Sequence, residues 1–275
     1  VNGKTFDLNT NTRELSPGAP IPKGIPHLPS SASANDGTEY YGYGNYNWPG
    51  LSSNAKLHIV EPDGVTVRTL PMPDVGENRV PMKMRVVVSG GVEKLIVVTQ
   101  GYDWDELAIQ RFDVRTKSFE GHCTMKAPRE YVAIGNDFVA VSLRRGMLGS
   151  EPDALVVDQK TCATKAELRV PVSEAGWTVV RSLTVTDDSI YLGGGSERIL
   201  PSPIYGVWKF DATSFALVGA LQTATQPFAS ATSNSRSSLW VALRDTTIIE
   251  VDVRMMSKVQ EFSKPLFGGD MFFAE

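Results

Sequence analysis

The chain contains no uninterrupted apolar run of roughly 18 residues, which excludes a membrane-spanning helix. It also lacks a basic surplus. Its 27 Lys and Arg stand against 31 Asp and Glu, a net charge of −4, which argues against nucleic acid as a partner. Cysteine is scarce: Cys123 and Cys162 are the only two, and they fit either one disulfide in an oxidising compartment or two buried thiols. No Asn-x-Ser/Thr sequon occurs. The three histidines, His27, His58 and His122, are scattered, and the G-x-S-x-G, H-E-x-x-H and C-x-x-C patterns are missing, so no hydrolase elbow, zinc helix or redox pair is written in the letters. The chain opens with Val1 and shows no charged leader followed by an apolar core. The expectation is that any targeting peptide has been removed or lies outside the given sequence, and that the compartment is extracellular or periplasmic.

What the chain does have is punctuation. With 24 Gly, 17 Pro, 41% hydrophobic and 21% charged residues, it has the balance of a turn-rich globular protein, and its 275 residues suit one large β domain. A short apolar strand that stops at an Asp, passes through a polar turn and resumes as a second strand recurs along it. Examples are "DALVVDQKTCATKAEL" (153–168), "LAIQRFDVRTKSFEGH" (107–122) and "YGVWKFDATSFALVGAL" (205–221). The anchoring residues Asp7, Asp63, Asp113, Asp158, Asp211 and Asp252 are 56, 50, 45, 53 and 41 residues apart. A second hairpin with a Gly or Asn/Asp turn precedes most of them, as in "MRVVVSGGVEKLIVVTQ" and "YVAIGNDFVAVSL".

Each repeat is therefore four short strands, A to D, and such repeats predict the blades of an all-β β-propeller. Five complete blades are expected near 27–74, 84–125, 130–172, 180–222 and 227–263. Residues 4–18 and 270–275 would build a sixth, closing blade by strand exchange between the termini, with seven blades as the alternative count. The Asp and Thr of the C to D hairpin suit Asx and Ser/Thr turns.

With these hairpins in view, the chain resembles the YVTN-type and quinoprotein-like propeller repeats, whose blades carry I-x-V-I-D-x-x-T-G-K-V at this place. "VVDQKT" and "KFDATS" come closest, and both lack the Gly that follows the Thr. The resemblance implies a fold and no particular reaction.

The A to B turns, Asn35-Asp36-Gly37, Gly90-Gly91, Asn136-Asp137, Asp187-Asp188 and Asn234-Ser235, are short and alike, which suits a structural role. The B to C connections are long and dissimilar, and function on a repetitive scaffold is usually carried by such loops. They hold Tyr43, Tyr46, Trp48, Tyr102, Trp104, Arg144, Arg145 and Arg198, with Trp177 on a D to A loop of the same face. Aromatics and Arg are enriched in protein-binding hot spots, so the leading expectation is a non-catalytic module that binds a protein partner and needs no cofactor.

Other chemistries are also suggested by short stretches of the chain. Asp103, Asp105 and Glu106 offer oxygen ligands for a hard cation but lack a full calcium-loop pattern. The alternative expectation is a metal-dependent hydrolase, lactonase or lyase with its site in the central channel: Asn35, Asp36, Asn136, Asp137 and Asn234 are of the types that propeller lactonases use there, yet they sit at tight turns. "YLGGGSER" resembles a phosphate loop without the helix or Lys, so its glycines suit a bulge or close packing. Trp48, Trp104, Trp177, Trp208 and Trp240 share no blade position, which argues against a multivalent lectin while leaving a single sugar or small-molecule site open.

Overall fold

The computed structural model describes residues 6–8, 15–17, 30–44, 55–73, 80–101, 106–126, 129–143, 152–171, 178–196, 204–232, 237–245 and 247–263. Strands β1 (Phe6–Leu8) and β2 (Leu15–Pro17) pair as a hairpin. Five four-stranded antiparallel sheets follow, each a meander whose strands are neighbours in chain order. The first holds β3 (Ser30–Ser33), β4 (Glu39–Tyr43), β5 (Lys56–Val60) and β6 (Val67–Pro71). The second holds β7 (Val80–Ser89), β8 (Val92–Gln100), β9 (Glu106–Asp113) and β10 (Ser118–Lys126). The third holds β11 (Arg129–Ile134), β12 (Phe138–Leu143), β13 (Ala154–Asp158) and β14 (Thr164–Leu168). The fourth holds β15 (Thr178–Val185), β16 (Ser189–Ser196), β17 (Tyr205–Asp211) and β18 (Leu217–Thr223), and the fifth β19 (Pro227–Thr232), β20 (Ser238–Leu243), β21 (Thr247–Asp252) and β22 (Ser257–Ser263). These are propeller blades, as the repeats predict.

Burial follows blade position. The second strand β16 is buried along its whole length, and β12 and β20 at all but one residue, whereas the outer strand β10 alternates exposed and half-buried residues. A middle strand covered on both faces reads as a continuous apolar run, and an outer strand with one wet face must alternate.

The sheets fall into two compact units, one built on Val1–Asp103 and Leu107–His122, the other on Trp104–Glu106 and Cys123–Phe273. In the first unit, Tyr40, Leu57 and Ile59 of the first sheet pack with Leu95, Val97 and Phe112 of the second. Phe112 meets Tyr40 and Phe119 edge-on, with ring centroids 5.9 and 5.1 Å away. In the second unit, Ala140, Val156 and Leu168 pack against Ile190, Leu192 and Trp208. Tyr191 and Val207 on the fourth sheet join Leu239, Val241 and Val251 of the fifth.

Four inner strands carry a β-bulge near their start, between Pro81/Lys83, Arg129/Val132, Val180/Ser182 and Pro227/Ala229. Pro81 survives inside β7 because it lies on an edge strand beside a bulge, where no ladder donor is required. The glycines of "YLGGGSER" lie in β16. A Cβ on Gly194 would be 2.2 Å from the Val179 carbonyl oxygen across the bulge, and one on Gly195 would be 2.3 Å from the Tyr205 ring. Close packing beside a bulge is thus what the glycines serve.

Candidate functional site

The meander gives every sheet two different ends. At one end lie the turns from first to second and from third to fourth strand, and at the other the connections from second to third strand, which are long in the first, third and fourth sheets and short, 244–246, in the fifth. The turn end is consumed by its own hydrogen bonding. The Asp158 carboxylate accepts from the backbone N–H groups of Lys160 and Thr161 and from the Thr161 hydroxyl at 2.9–3.0 Å. Asp63, Asp211 and Asp252 receive the residues two and three places on in the same way, and Asp113 accepts from Thr116 N–H at 2.7 Å. These bonds hold the carboxyls below their ordinary range: the Thr66 hydroxyl chiefly for Asp63, the Thr116, Ser214 and Met255 amides for Asp113, Asp211 and Asp252.

In four of these turns the fourth residue after the Asp adopts a left-handed backbone without being Gly: Lys117, Cys162, Phe215 and Met256, with φ of 52°, 58°, 58° and 48°. Each of these side chains reaches the preceding sheet. Lys117 Nζ lies 2.5 and 2.7 Å from the Glu61 carboxylate oxygens. Cys162 forms a disulfide with Cys123 of β10, Cα to Cα 5.7 Å. Phe215 meets Phe138 edge-on at 5.9 Å, and Met256 packs over Gly219 in the cluster with Tyr191 and Val207. Of the two cysteine readings, the structure selects the disulfide.

The turn residues of the right type for a channel metal are likewise engaged. Asp36 accepts from Thr38 N–H, which lowers its carboxyl pKa, while Asn136 donates to Asp187 at 3.1 Å and Asp137 takes the Lys165 ammonium at 2.7 Å. The Asn35 backbone N–H donates to Glu93, and Asn234 and Ser235 lie outside the described residues. His58 Nδ1 is 2.9 Å from the Thr69 hydroxyl, and burial together with Lys56 lowers its pKa. His122 is exposed on β10 of another sheet, and His27 lies outside the described residues. Among the described residues, no three His, Cys, Asp or Glu side chains group as metal ligands.

At the other end, the strand termini anchor the connections 44–55, 101–106, 143–154 and 196–205, and 168–178 between the third and fourth sheets. Tyr43, the last residue of β4, is half-buried and paired with Lys56. Beside it, Tyr41 donates its hydroxyl to Glu39 at 2.5 Å, and burial together with that bond raises the Tyr41 pKa. Tyr46, Trp48, Tyr102, Trp104, Arg144, Arg145, Trp177 and Arg198 lie outside the described residues, as do Asp103 and Asp105. Glu106 opens β9, with Lys126 3.9 Å away. Trp208 and Trp240 belong to the cores and to no surface site. Sequence reading missed the inner-strand bulges. In the second unit they fall opposite Ser142, Gly193 and Ala242, the fifth residue of each second strand, and only those small residues hinted at them.

The fold is similar to that of NirN, a dihydro-heme d1 dehydrogenase solved in complex with DHE, with a TM-score of 0.54 at 13% identity over 86% of this chain and 47% of NirN. It is also similar to BamB from Moraxella catarrhalis (TM-score 0.50, 11% identity, 86% of this chain and 64% of BamB) and to the Neurospora crassa Pan2 WD40 domain (0.52, 11%, 82% and 74%). The chain thus spans about half the length of NirN and under two thirds of BamB. WD40 repeats build β-propellers, and that fold is what the likeness shows. No protein-family model matches the chain, and no curated protein matches it in sequence.

Proposed function

We propose that this propeller is a non-catalytic binding module that recognises a protein partner through the end of its blades carrying Tyr43, Tyr46, Trp48, Tyr102, Trp104, Arg144, Arg145, Trp177 and Arg198. The observation that carries the reading is the contrast between the two ends. Carboxylates at the turn end are tied into their own turns and into neighbouring hairpins. The opposite end joins its strands through long connections rich in aromatic residues and Arg, the types that dominate interface energetics. The disulfide supports an extracellular or periplasmic setting, where such bonds persist.

The test is affinity capture from native extract with three baits: the wild-type chain, a Trp48→Ala/Trp104→Ala variant, and a turn-end control, Lys160→Glu, all checked by circular dichroism. A protein held by wild type and control but lost from the double variant supports the reading. Equal capture by all three baits counts against it.

A further inference from the structure

Each of the five sheets ends in an outer strand, and four of these carry the residues that keep an open edge from pairing with another chain. β6 has Arg68 and Pro71, β10 has Glu120 and Lys126, β14 has Lys165 and Glu167, and β22 has Lys258 and Glu261. β18 has none. From Thr213 to Gln226 no residue is charged and none is proline. The strand is the last of its sheet, and Val218 (57%) and Leu217 (41%) are exposed, as Val67 of β6 and Val259 of β22 also are. Charged side chains and proline are the usual protection of an edge, and an unprotected edge is a template for strand addition.

The bulge that blunts many edges does little here. β18 is bulged at Val218, between the pairs Lys209↔Gly219 and Phe210↔Leu217, but β14 and β22 are bulged as well and still carry their charges. Past the bulge, Gly219 to Thr223 pair regularly with β17. Ala220 and Gln222 are exposed, and Gly219 and Leu221 are half-buried on the side of Met256 and the fifth sheet.

We propose that β18 is the docking edge for a second copy of this chain, paired antiparallel about a two-fold axis at Ala220. That register sets Ala220 against Ala220, Gly219 against Leu221 and Val218 against Gln222. The strand is self-complementary in this arrangement. No like charges meet, the two small residues at the centre admit close approach, and Val218, with most of its surface in water, covers the stem of Gln222. One strand pair buries little area, so the dimer belongs to the weak, concentration-dependent class.

The full chain tests this by light scattering coupled to size exclusion over a concentration series. The expected result is a mass that climbs from 30.0 kDa towards twice that value for wild type and for a control, Ala216→Lys, which lies outside the strand. Ala220→Lys, which would place Lys opposite Lys, and Gln222→Lys are expected to remain monomers with an unchanged circular dichroism spectrum. A wild-type mass fixed at 30.0 kDa up to about 1 mM, or dimers of both strand variants at wild-type strength, would overturn the proposal.

Discussion

Lys117, Cys162, Phe215 and Met256 occupy a backbone conformation that costs an L-residue about 1–2 kcal/mol and that Gly adopts freely. The resembling repeats place Gly there, and this chain places a side chain that touches the preceding sheet. Three of the four contacts, those of Cys162, Phe215 and Met256, are worth more than the strain. Met256 is buried, and truncating a buried Met costs about 2–5 kcal/mol, so Met256→Gly is expected to lower stability by about 1–3 kcal/mol after the strain is relieved. Phe215→Gly should also destabilise, through lost contact with Phe138. Lys117→Gly should be neutral or stabilising by up to about 1 kcal/mol, because a partly exposed ion pair contributes about 0–1 kcal/mol. Urea unfolding of the three variants reads this order directly, and Lys117→Gly as the most damaging change would sink the argument. Cys162 adds a covalent link across a 39-residue separation, for which chain entropy predicts about 4 kcal/mol and engineered experience somewhat less. Cys162→Ser should therefore unfold at clearly lower urea, and a reductant should bring wild type down to the same midpoint without moving the variant.

At the scale of the element, the four-stranded sheet was legible because two periodicities coincide: apolar runs of strand length, and an Asp with, in every repeat but the last, a hydroxyl residue three places on. That Asp stands in the sequence where its Asx turn forms. The bulges and left-handed residues were not legible, since both are set by contacts with other strands and neither Lys117 nor Met256 has the Gly signature of its conformation. The turns also predict an acid limb. Hydrogen bonds hold Asp63, Asp113, Asp211 and Asp252 below their ordinary pKa, so their stabilisation is complete above the unfolded value of about 3.9 and is lost as pH falls through the lowered folded values. Melting temperature should be flat between about pH 5 and 7 and drop below about pH 4. Asp211→Asn keeps an acceptor without the titration, and its acid limb should be shallower. An unchanged limb would remove Asp211 from the account. In β16, Gly194→Ala drives a methyl into the Val179 carbonyl and should cost several times more than an ordinary surface Gly→Ala change, as measured by the same melts.

For the molecule as a whole, blade architecture could be read from the sequence because it depends on repetition. The proposed binding end could be read only as composition, because its long individual loops have no repeat in the sequence. Repetition also determines how stability is distributed. The fourth sheet has no core of its own: Ile190, Leu192, Trp208 and Phe210 are covered by the third sheet, and Tyr191, Val207 and Leu221 by the fifth. Alone, it would expose both faces to water while paying the full ordering entropy of its strands. A fragment of residues 178–223 is therefore expected to give a coil-like circular dichroism spectrum with no melting transition. Residues 129–263 keep the fourth sheet between both neighbours, and that longer fragment should retain β signal and melt cooperatively. If 178–223 melted cooperatively by itself, the stability of this chain would reside within single sheets, and the contacts made by Phe215 and Met256 would lose the role assigned to them.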